Sequence, residues 1–259
     1  MDYRNFVEKE FKNYTDAYDA NDPKIKLKVD HTYRVASLCD EIARSLGLSS
    51  RDVEIAWTSG MLHDIGRFEQ VRRYGTFADG QSVDHAQFGA DLLFKEQLYE
   101  RFVPGTDSEK KALIEKAIRM HNVFLMPENI SDREKIFCNI LRDADKIDIL
   151  RANCETRTED VYNVTTEELK EAAVSEDVKL AFKEHHCAKR HPGMTAVDHL
   201  TGHVCFTFEL VYRRSLELMF EQGYLFKLLD FKSNRPDTNE WFCYMKEEMK
   251  KIQQEMKAK

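Results

Sequence analysis

The sequence predicts an all-α fold, and three observations carry that expectation. Prolines and glycines are sparse, 5 and 10 in 259 residues, so few positions force the chain out of a helix. The long intervals between them repeat apolar residues at three- and four-residue spacings, the period of a helix with a buried face. Serines stand where several of these intervals begin, at Ser49 or Ser50, Ser82 and Ser108, and a serine hydroxyl there can accept a hydrogen bond from a free first-turn amide.

At 42% hydrophobic and 33% charged, the chain is long enough for a sizeable core. The expected organisation is a single domain over 1–259, with a core of about 24–150 and a helical extension of about 151–259. A net charge of -7 argues against general nucleic-acid or membrane-surface binding, which needs a basic face. The first twenty residues are charged throughout and hold no apolar signal core, and no later run approaches the roughly 20 apolar residues of a membrane span. A cytoplasmic location, with neither membrane nor nucleic acid as partner, is therefore expected. The six cysteines stand singly without a CxxC pair, which points to reduced, structural thiols.

From Lys24 to Leu46, Val35, Leu38, Ile42 and Leu46 form one stripe, with Gly47 as the C-cap. His31 precedes Val35 by four residues and Leu38 by seven, so it faces the core. Alone it reads as a core histidine bonded to a carbonyl. The next helix, with Val53, Ile55, Ala56, Trp57 and Leu62, is apolar on most sides and closes on His63-Asp64 within GMLHDIGRFEQ, residues 60–70. An imidazole beside a carboxylate offers a metal one nitrogen and one oxygen that can bridge to a second metal. Burying the ionised Asp64 costs several kcal/mol unless a cation or hydrogen bonds offset it. Gly66 is expected to break the helix and let Arg67 turn back towards the same site.

Gln70 to Asp84 reads as a loop. Arg67, Arg72 and Arg73, with Tyr74 beside them, either bind a phosphate or form a solvated cluster paired with Glu69 and Asp79, and the residues alone leave both open. After Ser82, a helix carries His85, Phe88 and Leu92 on one face. Tyr99 to Asp107 is expected to be a connection, and the helix from Ser108 aligns Ile114, Ala117, Ile118 and His121. Beyond Pro127 an apolar helix of about 131–150 holds Asp143, Asp145 and Asp148. Asp143 aligns with Ile140 and Ile147, Asp145 with Cys138 and Leu141, so periodicity does not choose between them, but three acids in a buried helix call for a cation.

The remainder has a polar connection containing Asn163 to Thr166, a break near Pro192 and Gly193, and an amphipathic helix from Trp241 to Lys257. A second histidine group comprises His185, His186, His191, His199 and His203. His199 and His203 are four apart, but Leu200 stands where a zinc protease places its glutamate, so HExxH is absent.

The ordered set His31, His63-Asp64, His85, His121 and Asp145 resembles the HD-domain superfamily of metal-dependent phosphohydrolases, over about 27–150. HDIGR is similar to the HDIGK phrase of many members, and Ala144-Asp145-Lys146-Ile147 looks like the phrase that carries the family's last ligand. That resemblance selects Asp145 over Asp143. It implies a multi-helix HD-domain bundle. His85 and His121 look like the extra ligands of the dinuclear branch, which implies Asp64 as the bridge, His31, His63 and Asp145 on one metal, and His85 and His121 on the other.

The resemblance further implies Asp64 and Arg67 as catalytic residues, and the basic, aromatic loop reading adds Arg67, Arg72, Arg73 and Tyr74 as the expected substrate contacts. The implied cofactor is one or two divalent ions (Fe, Mn, Mg, Ni or Zn), and the implied partner is a phosphorylated small molecule such as a nucleotide. After His121 the chain has Asn122-Val123-Phe124 in place of the GYP phrase of the cyclic-dinucleotide branch, which disfavours that substrate. Two other readings share the same ligand order: a diiron oxygenase of the superfamily, and a non-catalytic metal- or nucleotide-binding sensor.

Overall fold

Every regular element among the described residues, 2–157 and 164–258 of a computed structural model, is helical. Of the connection expected at Asn163 to Thr166, Asn163 lies outside the described residues. The chain divides into two compact units, Met1–Asp145 and Lys146–Lys259.

The first unit begins with α1 (Tyr3–Thr15), α2 (Pro23–Ser45) and α3 (Ser50–Leu62). Asp22 caps α2 by accepting from Lys24 N at 2.8 Å, and Pro23 supplies a first-turn residue with no amide to satisfy. Leu46 closes α2, and Gly47 takes a φ of +67° immediately beyond it, as its place at the end of the apolar stripe requires. Helix α3 is buried from Ile55 to Leu62. It lies so close to α2 that a Cβ on Gly60 would stand 2.6 Å from Ala36 Cα. That glycine lets the backbones bearing His31 and His63 approach each other.

Helix α4 (Ile65–Tyr74) follows after only His63 and Asp64. Gly66 does not break a helix: it lies in the first turn of α4, and the break falls one residue pair earlier, with Asp64 at φ -103°, ψ 17°. Gln70 to Tyr74 are likewise helical, so the loop spans only 75–84 and contains a short 3₁₀ turn, Asp79–Gln81. Gly66 packs against α5 (His85–Ala90), where a Cβ would meet Gly89 N and His85 O, each at 2.7 Å. Helix α5 is capped by Asp84, which accepts from Ala86 N and Gln87 N, and not by Ser82. It continues as a π turn, Asp91–Lys95.

The expected connection from Tyr99 contains a short helix, α6 (Tyr99–Phe102). Helix α7 (Ser108–Met120) is capped by Asp107 and ends at His121. Helix α8 (Asp132–Glu155) starts with a capping box, Ser131 N to Glu134 Oε2 at 2.9 Å and Glu134 N to Ser131 Oγ at 3.3 Å. Both of its faces are buried, through Cys138, Ile140, Leu141 and Ala144. Phe11, Tyr14, Phe68 and Phe102 pack edge to face at 5.8–6.0 Å and seal α1 and α6 over α4.

The second unit holds α9 (Thr166–Glu171), α10 (Glu176–Lys183), α11 (Ala196–Cys205), α12 (Arg213–Gln222), α13 (Tyr224–Leu229) and α14 (Pro236–Ala258). Capping boxes at Thr165/Glu168 and Thr195/Asp198 start α9 and α11. Its core gathers Phe182, Val197, Val204, Leu225, Trp241 and Met245.

Candidate metal centre

Four histidines and two aspartates from α2, the α3–α4 junction, α5, the end of α7 and α8 converge inside the first unit. Asp64 stands at the centre. Its Oδ2 lies 3.6 Å from His31 Nε2 and 3.4 Å from His63 Nε2. Its Oδ1 lies 3.7 Å from His85 Nε2 and 3.9 Å from His121 Nε2. Each carboxylate oxygen thus faces its own pair of imidazoles, and of the three groups that could hold an ion among the described residues the two fully buried ones share Asp64. Asp145 Oδ1 approaches His31 Nε2 at 3.1 Å and His63 Nε2 at 3.9 Å, so it is Asp145 that reaches the first pair.

Three of the four imidazoles are held with a lone pair inward. His63 Nδ1–H donates to Gly60 O and His121 Nδ1–H to Ile118 O, both at 2.7 Å. His85 Nδ1–H donates to Asp79 Oδ2 at 2.5 Å. These bonds fix the tautomers and leave each Nε2 as an acceptor. His63 and His31 then meet Nε2 to Nε2 at 3.3 Å, and His85 and His121 at 3.0 Å. The inward lone pairs of His85 and His121 repel at that distance unless a cation lies between them. Asp64 Oδ1, buried without a hydrogen-bond partner, adds an orphaned acceptor to the same space. This donor set fits divalent ions.

Burial, reinforced by His85 and His63, pushes the His121 imidazole down to about 3. Burial and Arg67 lower His85, against the hydrogen bond to Asp79. Burial works to raise Asp64, but Lys28, His63 and Arg67 together hold it well below the usual carboxylate range. Burial likewise opposes ionisation of Asp145, and His31 foremost outweighs it. His85 and His121 are therefore favoured as neutral imidazoles, and Asp64 and Asp145 as ionised carboxylates, the forms that bind metal.

Arg67 turns towards Asp64, with Nε 3.7 Å from Oδ1. Its Nη1 is tethered to Asp79 Oδ1 at 2.8 Å, Phe77 O at 2.7 Å and Gln70 Oε1 at 2.8 Å. Arg72 and Arg73 pair with Glu69 Oε2 at 2.7 and 3.0 Å, and Tyr74 is exposed. Of the four expected substrate contacts, only Arg67 stands beside Asp64 in these contacts.

Two further residues belong to the centre. Lys28 Nζ donates to Asp64 Oδ2 at 2.5 Å; its place one helical turn before His31, on the same face of α2, was the available signal. Asp79 orients His85 and anchors Arg67 at once. In the second histidine group, His203 is buried with Nδ1 accepting from Asn153 Nδ2 at 2.6 Å, and His191 pairs with Asp177 at 2.9 Å. Among the described residues, no metal-ligand cluster includes His199 or His203.

Residues 29–151 match the family model described as the HD domain. These residues form an HD domain, a family whose members are mostly metal-dependent hydrolases that bind divalent metals. No curated protein and no solved structure matches the chain. Among the described residues, no helix is long and apolar enough to cross a membrane.

Proposed function

We propose that this HD domain is a phosphohydrolase that binds two divalent cations and hydrolyses a phosphomonoester or phosphodiester, with nucleotides as the substrate class. The observation that carries this reading is the division of Asp64, one oxygen towards His31 and His63, the other towards His85 and His121. His31, His63 and Asp145 would hold one ion and His85 and His121 the other, with the Asp64 carboxylate available to both. Bound cations of this kind supply Lewis acidity and a water acidic enough to be hydroxide near neutral pH. The set of imidazoles and carboxylates accepts Fe, Mn, Mg, Ni or Zn.

The chain's own groups position the reaction. The Nδ1 bonds of His63, His85 and His121 hold the rings in place, and Asp79 raises the basicity of His85. Arg67, immobilised by Asp79 and Phe77 O, directs positive charge to the side of Asp64 Oδ1, where it can neutralise charge developing on phosphoryl oxygens. Burial lowers His85 and His121, which favours the metal-binding form of both.

The test combines metal analysis with a panel of phosphorylated substrates, assayed with each metal in air and without oxygen. Phosphate release without oxygen is expected. Turnover that needs iron and consumes dioxygen would establish the oxygenase reading in its place, and nucleotide that stays bound and intact with metal present would establish the sensor. His63→Ala and Asp64→Ala should lose metal and activity together.

A further inference from the structure

Lys28 is the one cation of the site that sits on a metal-facing oxygen. Its Nζ lies 2.5 Å from Asp64 Oδ2, the oxygen shared with His31 and His63. Its side chain is 16% exposed, at the edge of an otherwise buried centre. The ring of Phe77 flanks it, 5.5 Å from Nζ. Arg67 is pinned by Asp79, Phe77 O and Gln70, whereas the hydrogen bond of the Lys28 ammonium is this single one to Asp64 among the described contacts. A lysine carries its charge on a flexible four-carbon stem with rotatable donors.

A divalent ion ligated by Asp64 Oδ2 and an ammonium on the same oxygen would be two positive charges in contact in a desolvated space, where their repulsion is weakly screened. One must leave, and the ammonium is the one with a stem that can swing. The direction open to it is the partly exposed edge of the site, where the Phe77 ring already flanks it.

We propose that Lys28 is the phosphate-recognising residue of this site, neutralising Asp64 Oδ2 until a divalent ion takes that oxygen and then turning onto the phosphoryl group of the substrate. This rests on the two-cation reading above. The residue thereby makes metal and phosphate loading sequential: the metal displaces the ammonium, and the displaced ammonium completes the phosphate pocket.

The experiment titrates Mn²⁺ into metal-stripped wild type, Lys28→Met and Lys28→Arg, then inorganic phosphate into each Mn-loaded protein, by calorimetry with metal content checked independently. In Lys28→Met, Mn²⁺ affinity is expected to hold or rise up to tenfold, because a competing charge is gone, while phosphate affinity falls at least tenfold. Lys28→Arg should keep phosphate affinity within about threefold of wild type. Phosphate affinity unchanged in Lys28→Met, with Mn²⁺ bound, overturns the role of Lys28 and leaves the metal reading intact. A tenfold loss of Mn²⁺ affinity in Lys28→Met overturns it too, since the lysine would then merely hold Asp64 in place. Failure of wild type to take up Mn²⁺ overturns the metal reading and this one together.

Discussion

Gly66→Ala tests how the second half of the metal centre is held in position. A Cβ at Gly66 would lie 2.7 Å from Gly89 N, 2.7 Å from His85 O and 2.8 Å from Gly89 Cα. Ordinary contact begins at 3.4 Å, so α4 and α5 must separate by about 0.7 Å, and because all three atoms are backbone no rotamer change can relieve the clash. Overpacking of this kind costs about 1–3 kcal/mol. The separation also draws His85 away from Asp64 Oδ1, now 3.7 Å from its Nε2, while the α2–α3 contact at Gly60 that serves His31 and His63 is untouched. Urea unfolding should show a loss of about 1–3 kcal/mol, and metal analysis should show occupancy falling from two ions towards one. Unchanged stability with two ions would refute the packing argument, and loss of both ions would refute the independence of the two halves.

Three other outcomes follow from the same contacts. Asp79→Asn removes the carboxylate that orients His85 and should weaken one metal about 10- to 100-fold, read by metal titration; equal affinity at both sites would contradict this. Arg72→Ala, which breaks a pair with Glu69, should change KM by less than about threefold, whereas Arg67→Ala should reduce kcat/KM by about 100-fold or more; the opposite ranking would return substrate binding to the outer arginines. Burial, with Arg190 and His199, pushes His203 from 6.5 down to about 3. Below pH 6.5 the unfolded chain takes up a proton there that the folded one refuses, so stability is intact above that pH and is lost as pH falls towards 3. In metal-stripped protein, His203→Gln should reduce the stability loss between pH 6.5 and 5 by roughly 2 kcal/mol, measured by urea unfolding; an identical loss in both proteins would sink the assignment.

The histidines were legible because each shares a helical stripe with residues that must be buried, so His31 beside Val35 and Leu38, or His121 beside Ala117 and Ile118, had to point inward. The pairing of Arg72 and Arg73 with Glu69 was one of two readings left open, because the stretch from Gln70 was read as a loop and the three- and four-residue spacings of a helix were not applied to it. Periodicity could not separate Asp143 from Asp145, because α8 is buried on both faces and loses the contrast on which the method depends. Gly66 was misread for a related reason. A glycine after an apolar helix looks like a terminator, but its partner, Gly89, lies 23 residues away on another helix, and no local pattern announces a contact between two missing side chains.

Lys28 and Asp79 escaped because a charged residue reads by default as solvated. What reverses that reading is the central carboxylate. Once Asp64 is buried and ionised, each of its oxygens needs a positive neighbour, and the chain supplies Lys28 at Oδ2 and Arg67 at Oδ1. Those two oxygens are the ones that divide the four imidazoles into pairs. The protein's own charges therefore flank both oxygens of one carboxylate, and Arg67 is tethered by three further bonds whereas the Lys28 ammonium bonds to Asp64 alone among the described contacts.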